Sequence, residues 1–136
     1  WDTDGTRVRM ATEALDLAEL ARVQGEWKGV PDGSVIGHVH LQVGDADQAE
    51  AFYTGPLGLE LAAGMPSARF YATGGYHHHL ATNTWRSRGA GTRSPDSAGL
   101  TEVVLTADAD RALALGTSGL TDPWGNRITI EARAAA

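Results

Sequence analysis

The stretch GHVHLQVGDADQAEAFY, residues 37–53, contains the pattern that decides the fold. Its first half alternates apolar and polar residues, as a half-buried strand does, and its second half is rich in alanine, which favours helix. Between the two halves, Asp45 or Asp47 can accept hydrogen bonds from the free amides of the first helical turn. The stretch therefore predicts a strand followed by a capped helix.

The same unit recurs towards the other end of the chain. Residues 108–114, DADRALA, match residues 45–51, DADQAEA, and also follow a strand-like run. After the first helix, turn signals separate three further predicted strands, at 59–62, 68–72 and 76–83. The first module is then βαβββ. Residues 116–121 are too few for the two middle strands of a complete second module.

These elements predict an α+β fold in which paired βαβββ modules form a curved mixed sheet around a cleft, with the second module shortened. The modules span about 36–85 and 99–132, and a segment rich in Gly, Ser, Arg and Pro links them. Ahead of them, residues 13–23 have the apolar spacing of an amphipathic helix, which predicts a helical connector over 12–35. Residues 2–10 repeat the pattern of residues 122–130, a tight turn that leads into a strand.

Composition and charge exclude several classes of protein. Of 136 residues, 42% are hydrophobic and 21% are charged, which excludes a disordered chain. The net charge of −6 argues against nucleic acid or an anionic membrane as a partner. The sequence contains no cysteine, which excludes disulfide scaffolds and thiolate sites and fits a reducing cytoplasm. No apolar stretch approaches the ~20 residues needed to cross a bilayer.

All five histidines fall within two predicted strands, 37–44 and 76–83. Because side chains alternate between the faces of a strand, one face of the sheet is expected to collect imidazoles and carboxylates. Such a set suits Fe(II), Mn(II), Ni(II) or Zn(II), and we favour a metal site over a surface patch of hydrogen-bonding side chains. The residues on this face are His38, His40, His77, His79, Glu102 and Glu131.

Residues 37–59 resemble the head of a module of the vicinal oxygen chelate superfamily. The matching residues are the run 37–45, then Ala51-Phe52-Tyr53 and Gly55-Pro56-Leu57-Gly58-Leu59. That superfamily includes glyoxalase I, fosfomycin and bleomycin resistance proteins and extradiol dioxygenases. Residues 122–128 resemble the end of such a module. Residues 74–85 resemble the catechol 2,3-dioxygenase-like branch, whose members often carry two such domains in tandem. The resemblance implies that residues 1–11 correspond to the closing strand of a preceding domain, and residues 36–136 to a C-terminal domain.

The resemblance also implies metal ligands on the inner face of the sheet. His38 matches the first-strand ligand, and His79 matches the fourth-strand position. Glu102 falls at the opening strand of the second module, where relatives usually have His. The closing ligand of the family is typically a Glu, but Thr129 stands at that position here, and Glu131 is the residue that could replace it.

Proton transfer needs a further residue, and imidazole titrates near neutral pH. His40 and His77 are the candidates for that role. An equally good interpretation of His40 is a partner that orients the ligand His38.

The implied function is a metal-dependent enzyme, extradiol dioxygenase-like or glyoxalase-like, that binds its substrate through vicinal oxygens. Fe(II) or Mn(II) is the favoured metal, with Ni(II) or Zn(II) as alternatives. The expected partners are a catechol-like or oxo-acid-like small molecule and a second copy of the chain or a tandem domain. Two alternatives stay open. One is a domain that completes a barrel with its partner without catalysis. The other is a metal-free binding protein of the resistance type, with a cleft lined by Phe70, Tyr71, Trp85 and Trp124.

Overall fold

The computed structural model describes residues 14–116 and 119–133. The closing strand expected at 1–11 lies outside the described residues. Helix α1 spans Leu17–Leu20, where the Asp16 side chain accepts a hydrogen bond from the amide of Glu19. The helix predicted over 13–23 is therefore wrong in length. None of the residues of α1 is buried, and so short a helix gains little stability without packing.

The first module contains four strands and one helix in the predicted βαβββ order: β1 (Val39–Gln42), α2 (Ala46–Thr54), β2 (Glu60–Met65), β3 (Ala68–Ala72) and β4 (Leu80–Asn83). The strands form one sheet in the order β1-β4-β3-β2. β1 and β4 run parallel, with Val39 opposite Leu80, and the other pairs are antiparallel. The parallel pair places the beginnings of β1 and β4 side by side.

The second module repeats this topology with one strand fewer: β5 (Val103–Ala107), α3 (Ala109–Leu115), β6 (Leu120–Thr121) and β7 (Arg127–Ala132). Its sheet has the order β5-β7-β6, with β5 parallel and β6 antiparallel to β7. Among the described residues the counterpart of β2 is missing. The predicted α+β class and the shortened second module are thus confirmed.

The two modules share one hydrophobic core. Its fully buried members include Tyr53 and Leu80 from the first module and Ile128 from the second. The start of α2 is fixed by Asp45, whose Oδ1 accepts a hydrogen bond from the amide of Gln48 at 2.7 Å, as predicted. None of the helices in the described part of the chain is long and apolar enough to span a membrane.

A buried carboxylate joins the modules. Asp122 accepts a hydrogen bond from the hydroxyl of Tyr53 at 2.9 Å, and three further hydrogen bonds from the backbone amides of Trp124 and Asn126 and the side-chain amide of Asn126. Burial, followed by the nearby charge of Asp122, raises the pKa of Tyr53. Helix α2 is in this way tied to the turn that leads into β7.

The last strand of the first module is shorter than predicted. β4 begins at Leu80, whereas the alternation pattern predicts a strand from Tyr76. Gly74 and Gly75 both adopt positive φ, +64° and +73°, and form a turn just before this segment. Residues 76–78 therefore pass across the end of the sheet irregularly, and side-chain alternation does not apply to them.

Candidate functional site

Four histidines gather at one end of the first sheet, where β1 and β4 begin. His38 immediately precedes β1 and His40 lies within it, whereas His77 and His78 precede β4. The ring centroids of His38 and His78 are 4.3 Å apart, and those of His77 and His78 are 4.4 Å apart. Because β1 and β4 are parallel neighbours, the residues before each strand are brought together. We call these four residues the histidine cluster.

Three members of the cluster have the spacing of a metal-binding group. One ring nitrogen from each of His38, His77 and His78 lies within 4.8 Å of the other two. Within the described residues this is the one group of three or more His, Asp or Glu side chains with that property. His77 and His78 are buried, whereas His38 is exposed. A bound ion would therefore have protein on one side and access from solvent on the other.

The environment favours the neutral form of three of these imidazoles, those of His40, His77 and His78. Burial, followed by repulsion from His38 and the other histidines, lowers the pKa of His78 to about 4. The pKa values of His40 and His77 are also lowered, in each case first by burial and then by His38. A neutral imidazole is the form that binds metals, because protonation removes the lone pair. The imidazoles of His40, His77 and His78 thus favour the form that a cation requires.

One nitrogen of His78 is left without a hydrogen bond. Its Nδ1 is buried, and no described residue donates to it or accepts from it. Its Nε2 lies 3.2 Å from the Nε2 of His40. An unsatisfied buried polar atom costs roughly 1–3 kcal/mol. A metal ion bound at this nitrogen would satisfy it, so the residues present fit a metal, although with three imidazoles in place of the expected imidazole and carboxylate set.

His79 lies apart from the cluster. Its ring stacks on Tyr76 with centroids 4.8 Å apart, and its Nε2 is 3.5 Å from the hydroxyl of Thr73. Its backbone carbonyl accepts a hydrogen bond from the amide of Val39 at the start of the β1–β4 ladder. His79 and His38 line a common cleft, but His79 does not belong to the metal-binding group.

The two candidate carboxylates of the second module also lie outside the group. Glu102 accepts hydrogen bonds from the hydroxyl of Thr129 and from Arg127 Nε, the latter at 3.1 Å, and these bonds lower its pKa. Glu131 is exposed on β7, opposite Thr106. Glu102 immediately precedes β5 as His38 precedes β1, so the two residues occupy equivalent positions in their modules.

The structure therefore brings together three of the residues selected from the sequence and adds one. His38, His40 and His77 meet. His78 joins them, although strict alternation, which puts His77 and His79 on one face, puts His78 on the other. The run of three histidines is the signal that could have identified His78, because residues in an irregular segment are free to point the same way.

The aromatic residues proposed to line a cleft fall into two groups. Phe70 lies beside the histidine cluster, 5.1 Å from His78 between ring centroids. Trp85 is 6.4 Å from His40 and is largely exposed. Tyr71 and Trp124, in contrast, are buried in the shared core. Of these four, Trp85 alone is both exposed and close to the histidines, because Phe70, although beside them, is buried.

Comparison with known proteins gives a consistent result. A family model described as the glyoxalase/bleomycin resistance protein/dioxygenase superfamily matches residues 35–115. Over 104 residues the chain is 40% identical to the catechol-2,3-dioxygenase of Bacillus subtilis (strain 168), a match that covers 73% of this chain and 36% of that relative. The chain thus spans little more than a third of the length of this relative.

Solved structures show the same fold. The lactoylglutathione lyase from Agrobacterium tumefaciens matches with a TM-score of 0.51 and 21% identity, over 75% of this chain and 96% of that one. A protein from the mobile metagenome of V. Pseudocholerae also has a TM-score of 0.51, with 16% identity, over 79% of this chain and 100% of its own. At these identities the likeness concerns the fold alone.

Proposed function

The chain belongs to the glyoxalase/bleomycin resistance protein/dioxygenase superfamily, and from this premise we propose that it is a metal-dependent enzyme that binds its substrate through vicinal oxygens. Extradiol cleavage of a catechol-like substrate is the reaction we favour, since the relative at 40% identity is a catechol-2,3-dioxygenase. A glyoxalase-like reaction on an oxo-acid-like substrate is the alternative within the same family. The observation that carries the proposal is the group formed by His38, His77 and His78.

We assign the metal to these three histidines. The set predicted from the sequence, His38 with His79, Glu102 and Glu131, shares only His38 with it. The three-histidine set is preferred because its nitrogens converge, whereas Glu102 is engaged by Arg127 and Thr129. Fe(II) or Mn(II) is the proposed ion, with Ni(II) or Zn(II) as alternatives, because imidazole serves all four.

The bound ion would supply Lewis acidity to two substrate oxygens and, as Fe(II), a place for O₂ to react. The chain's own residues then have two tasks. His38 is the exposed member of the group, so a substrate can approach the ion from the side on which His38 lies. His40, exposed and next to His78, is placed to hold or move a proton of the substrate. We assign this task to His40 because His77, the other candidate, belongs to the ligand group.

The proposal keeps three sequence-based expectations. These are the cytoplasm as its compartment, a small molecule as its substrate, and a homodimer or a tandem pair of domains as its assembly.

Metal analysis of untagged protein tests the proposal. We expect about one Fe or Mn per chain, the stoichiometry of a single open site. His78→Ala and His38→Ala should lose the ion, whereas His79→Ala and Glu102→Gln should retain it. Loss of the ion in Glu102→Gln and His79→Ala, but not in His78→Ala, would support the sequence-based ligand set instead. Loaded protein is then assayed with catechol and O₂ by the absorbance of the ring-opened product.

Wild-type protein that takes up no metal after reconstitution would overturn the proposal. A metal-free small-molecule binding protein would then be the better candidate. One observation favours that second function: a cleft of about 590 Å³ lies between β1 and β5, and of the histidine cluster only His38 lines it.

A further inference from the structure

Most of the residues that line the cleft between the first strands of the two modules are apolar, and His38, His79 and Thr73 are among the polar ones. The cleft is lined by β1 and β5 and has a volume of about 590 Å³, which is within the usual range for sites that bind small organic molecules. Val103 and Ile130 form part of the shared core at its base. Leu57, Leu105 and Leu115 are partly or fully buried around them. Such side chains would hold a hydrocarbon or aromatic body.

One cation of this cleft is fixed by the backbone of the first module. Arg111 of α3 reaches across the module boundary, and its Nη2 donates hydrogen bonds to the carbonyls of Leu57 at 3.2 Å and Gly58 at 3.4 Å. Gly58 has φ +67°, and a Cβ at this position would collide with Arg111 Nη2. The guanidinium group has five N–H donors, so the others stay available to a ligand.

A second cation lines the same cleft from the end of β7. The backbone amide of Arg133 donates to the carbonyl of Ala107 at 2.7 Å, which extends the β5–β7 ladder by one residue. No hydrogen bond or ion pair joins its guanidinium group to another described residue. Asp108 is the one carboxylate among the lining residues, so the cleft has two arginines and one acidic group. The chain as a whole, in contrast, has a net charge of −6.

From these contacts we propose that the cleft binds a small organic carboxylate with an apolar body. Arg111 and Arg133 hold the carboxylate, because guanidinium groups match the geometry of a carboxylate and form strong charge-assisted hydrogen bonds with it. The apolar side chains take up the body, so a small inorganic anion, which has no such body, is expected to bind more weakly. The inference concerns the cleft alone and does not depend on a metal at the histidine cluster.

Titration of the whole chain with 4-phenylbutyrate tests this proposal. Calorimetry measures the affinity, and the NMR signals of the methyl groups of Leu105 and Ile130 locate the binding. Two matched probes serve as controls. The amide 4-phenylbutyramide keeps the apolar body without the charge, and acetate keeps the charge without the apolar body. We expect the carboxylate to bind at least about tenfold more tightly than either, since a hydrogen bond to a charged group contributes roughly that factor. Arg133→Gln should weaken its binding by about tenfold, and Arg111→Lys should weaken it through loss of the planar fork.

Arg88→Gln is the control, because it removes the same charge from an exposed residue that does not line the cleft. Its binding should equal that of the wild type. Equal binding of amide and carboxylate, equal losses in Arg88→Gln and Arg133→Gln, or no binding at about 10 mM would each overturn the proposal. Shifts confined to the histidine resonances and unchanged in Arg133→Gln would also overturn it, since the probe would then occupy the histidine cluster.

Discussion

The Nε2 atoms of His40 and His78 lie 3.2 Å apart, so one ring must donate and the other accept. The pair can share one proton between these nitrogens but cannot hold two without repulsion. Since β1 holds His40 and the segment before β4 holds His78, this contact links two neighbouring strands at the site. The protonation of these two imidazoles is therefore coupled to the contact between β1 and the segment before β4.

Acid should destabilise the metal-free protein. The pKa of His78 is about 4 in the folded state and 6.5 when unperturbed. The unfolded chain therefore binds the proton first, and the free energy of unfolding falls as the pH drops from about 6.5 towards 4. We expect His78→Gln to reduce this slope without abolishing it, since the pKa values of His40 and His77 are also lowered. Urea unfolding in the presence of EDTA between pH 4 and pH 8 measures both slopes. Identical slopes would contradict the assignment.

Alkali should destabilise the protein through its buried tyrosines. Burial raises the pKa of Tyr71 to about 12, and that of Tyr53 is raised as well. Above pH 10 the unfolded chain loses these protons first, so stability present below pH 10 is lost as the pH rises towards 12. Absorbance at 295 nm should show delayed formation of tyrosinate, together with unfolding. Tyr71→Phe should flatten the alkaline slope, and an unchanged slope would show that Tyr71 titrates normally.

Removal of the buried carboxylate that joins the modules should be costly. Asp122→Ala breaks four hydrogen bonds and leaves the hydroxyl of Tyr53 without its partner, so we expect a loss of about 3 kcal/mol or more. Tyr53→Phe breaks one of them and should cost about 1–3 kcal/mol. Asp32→Ala, at an exposed position, is the control and should change stability by no more than about 0.5 kcal/mol. Chemical denaturation of the three variants gives the comparison, and equal losses for Asp122→Ala and Asp32→Ala would refute the role of Asp122.

Alanine substitutions at two glycines can distinguish the cost of backbone strain from the cost of a collision with Arg111. Gly58 and Gly74 have similar φ, +67° and +64°, but only at Gly58 would a Cβ meet Arg111. Gly74→Ala should cost about 1–2 kcal/mol, the backbone penalty for an L-residue. Gly58→Ala should cost more, and the excess should disappear in the double variant with Arg111→Ala. Thermal unfolding of the wild type, Gly74→Ala, Gly58→Ala, Arg111→Ala and the double variant gives the comparison. Equal costs of the two single variants would mean that Arg111 moves aside freely.

The order of elements follows from local sequence, whereas the site does not. The repeated DADxA pattern predicts both helices of the modules, because alanine content acts locally. The aspartate caps only the first of them: Asp45 accepts a hydrogen bond at the start of α2, whereas the Asp108 side chain makes no such bond at the start of α3. The alternation rule puts His78 on the wrong face because it assumes a strand from Tyr76, whereas the strand begins at Leu80, after the Gly74-Gly75 turn. The face of the strand and the family resemblance together group Glu102 with the histidines, but neither takes account of its own hydrogen-bond partners. Its engagement by Arg127 depends on the pairing of β5 with β7, which no local pattern contains.

The parallel pairing of the first and last strands also bears on how the molecule is made. In each module the sheet is incomplete until its final strand exists, so neither module can close while the ribosome is still adding that strand. The first module needs nothing beyond Asn83 for its strands, and all four clustered histidines precede that residue. Domains generally fold as units, and the core of this one includes Ile128 of the second module. The strands that carry the histidine cluster therefore leave the ribosome before the residues that complete their core.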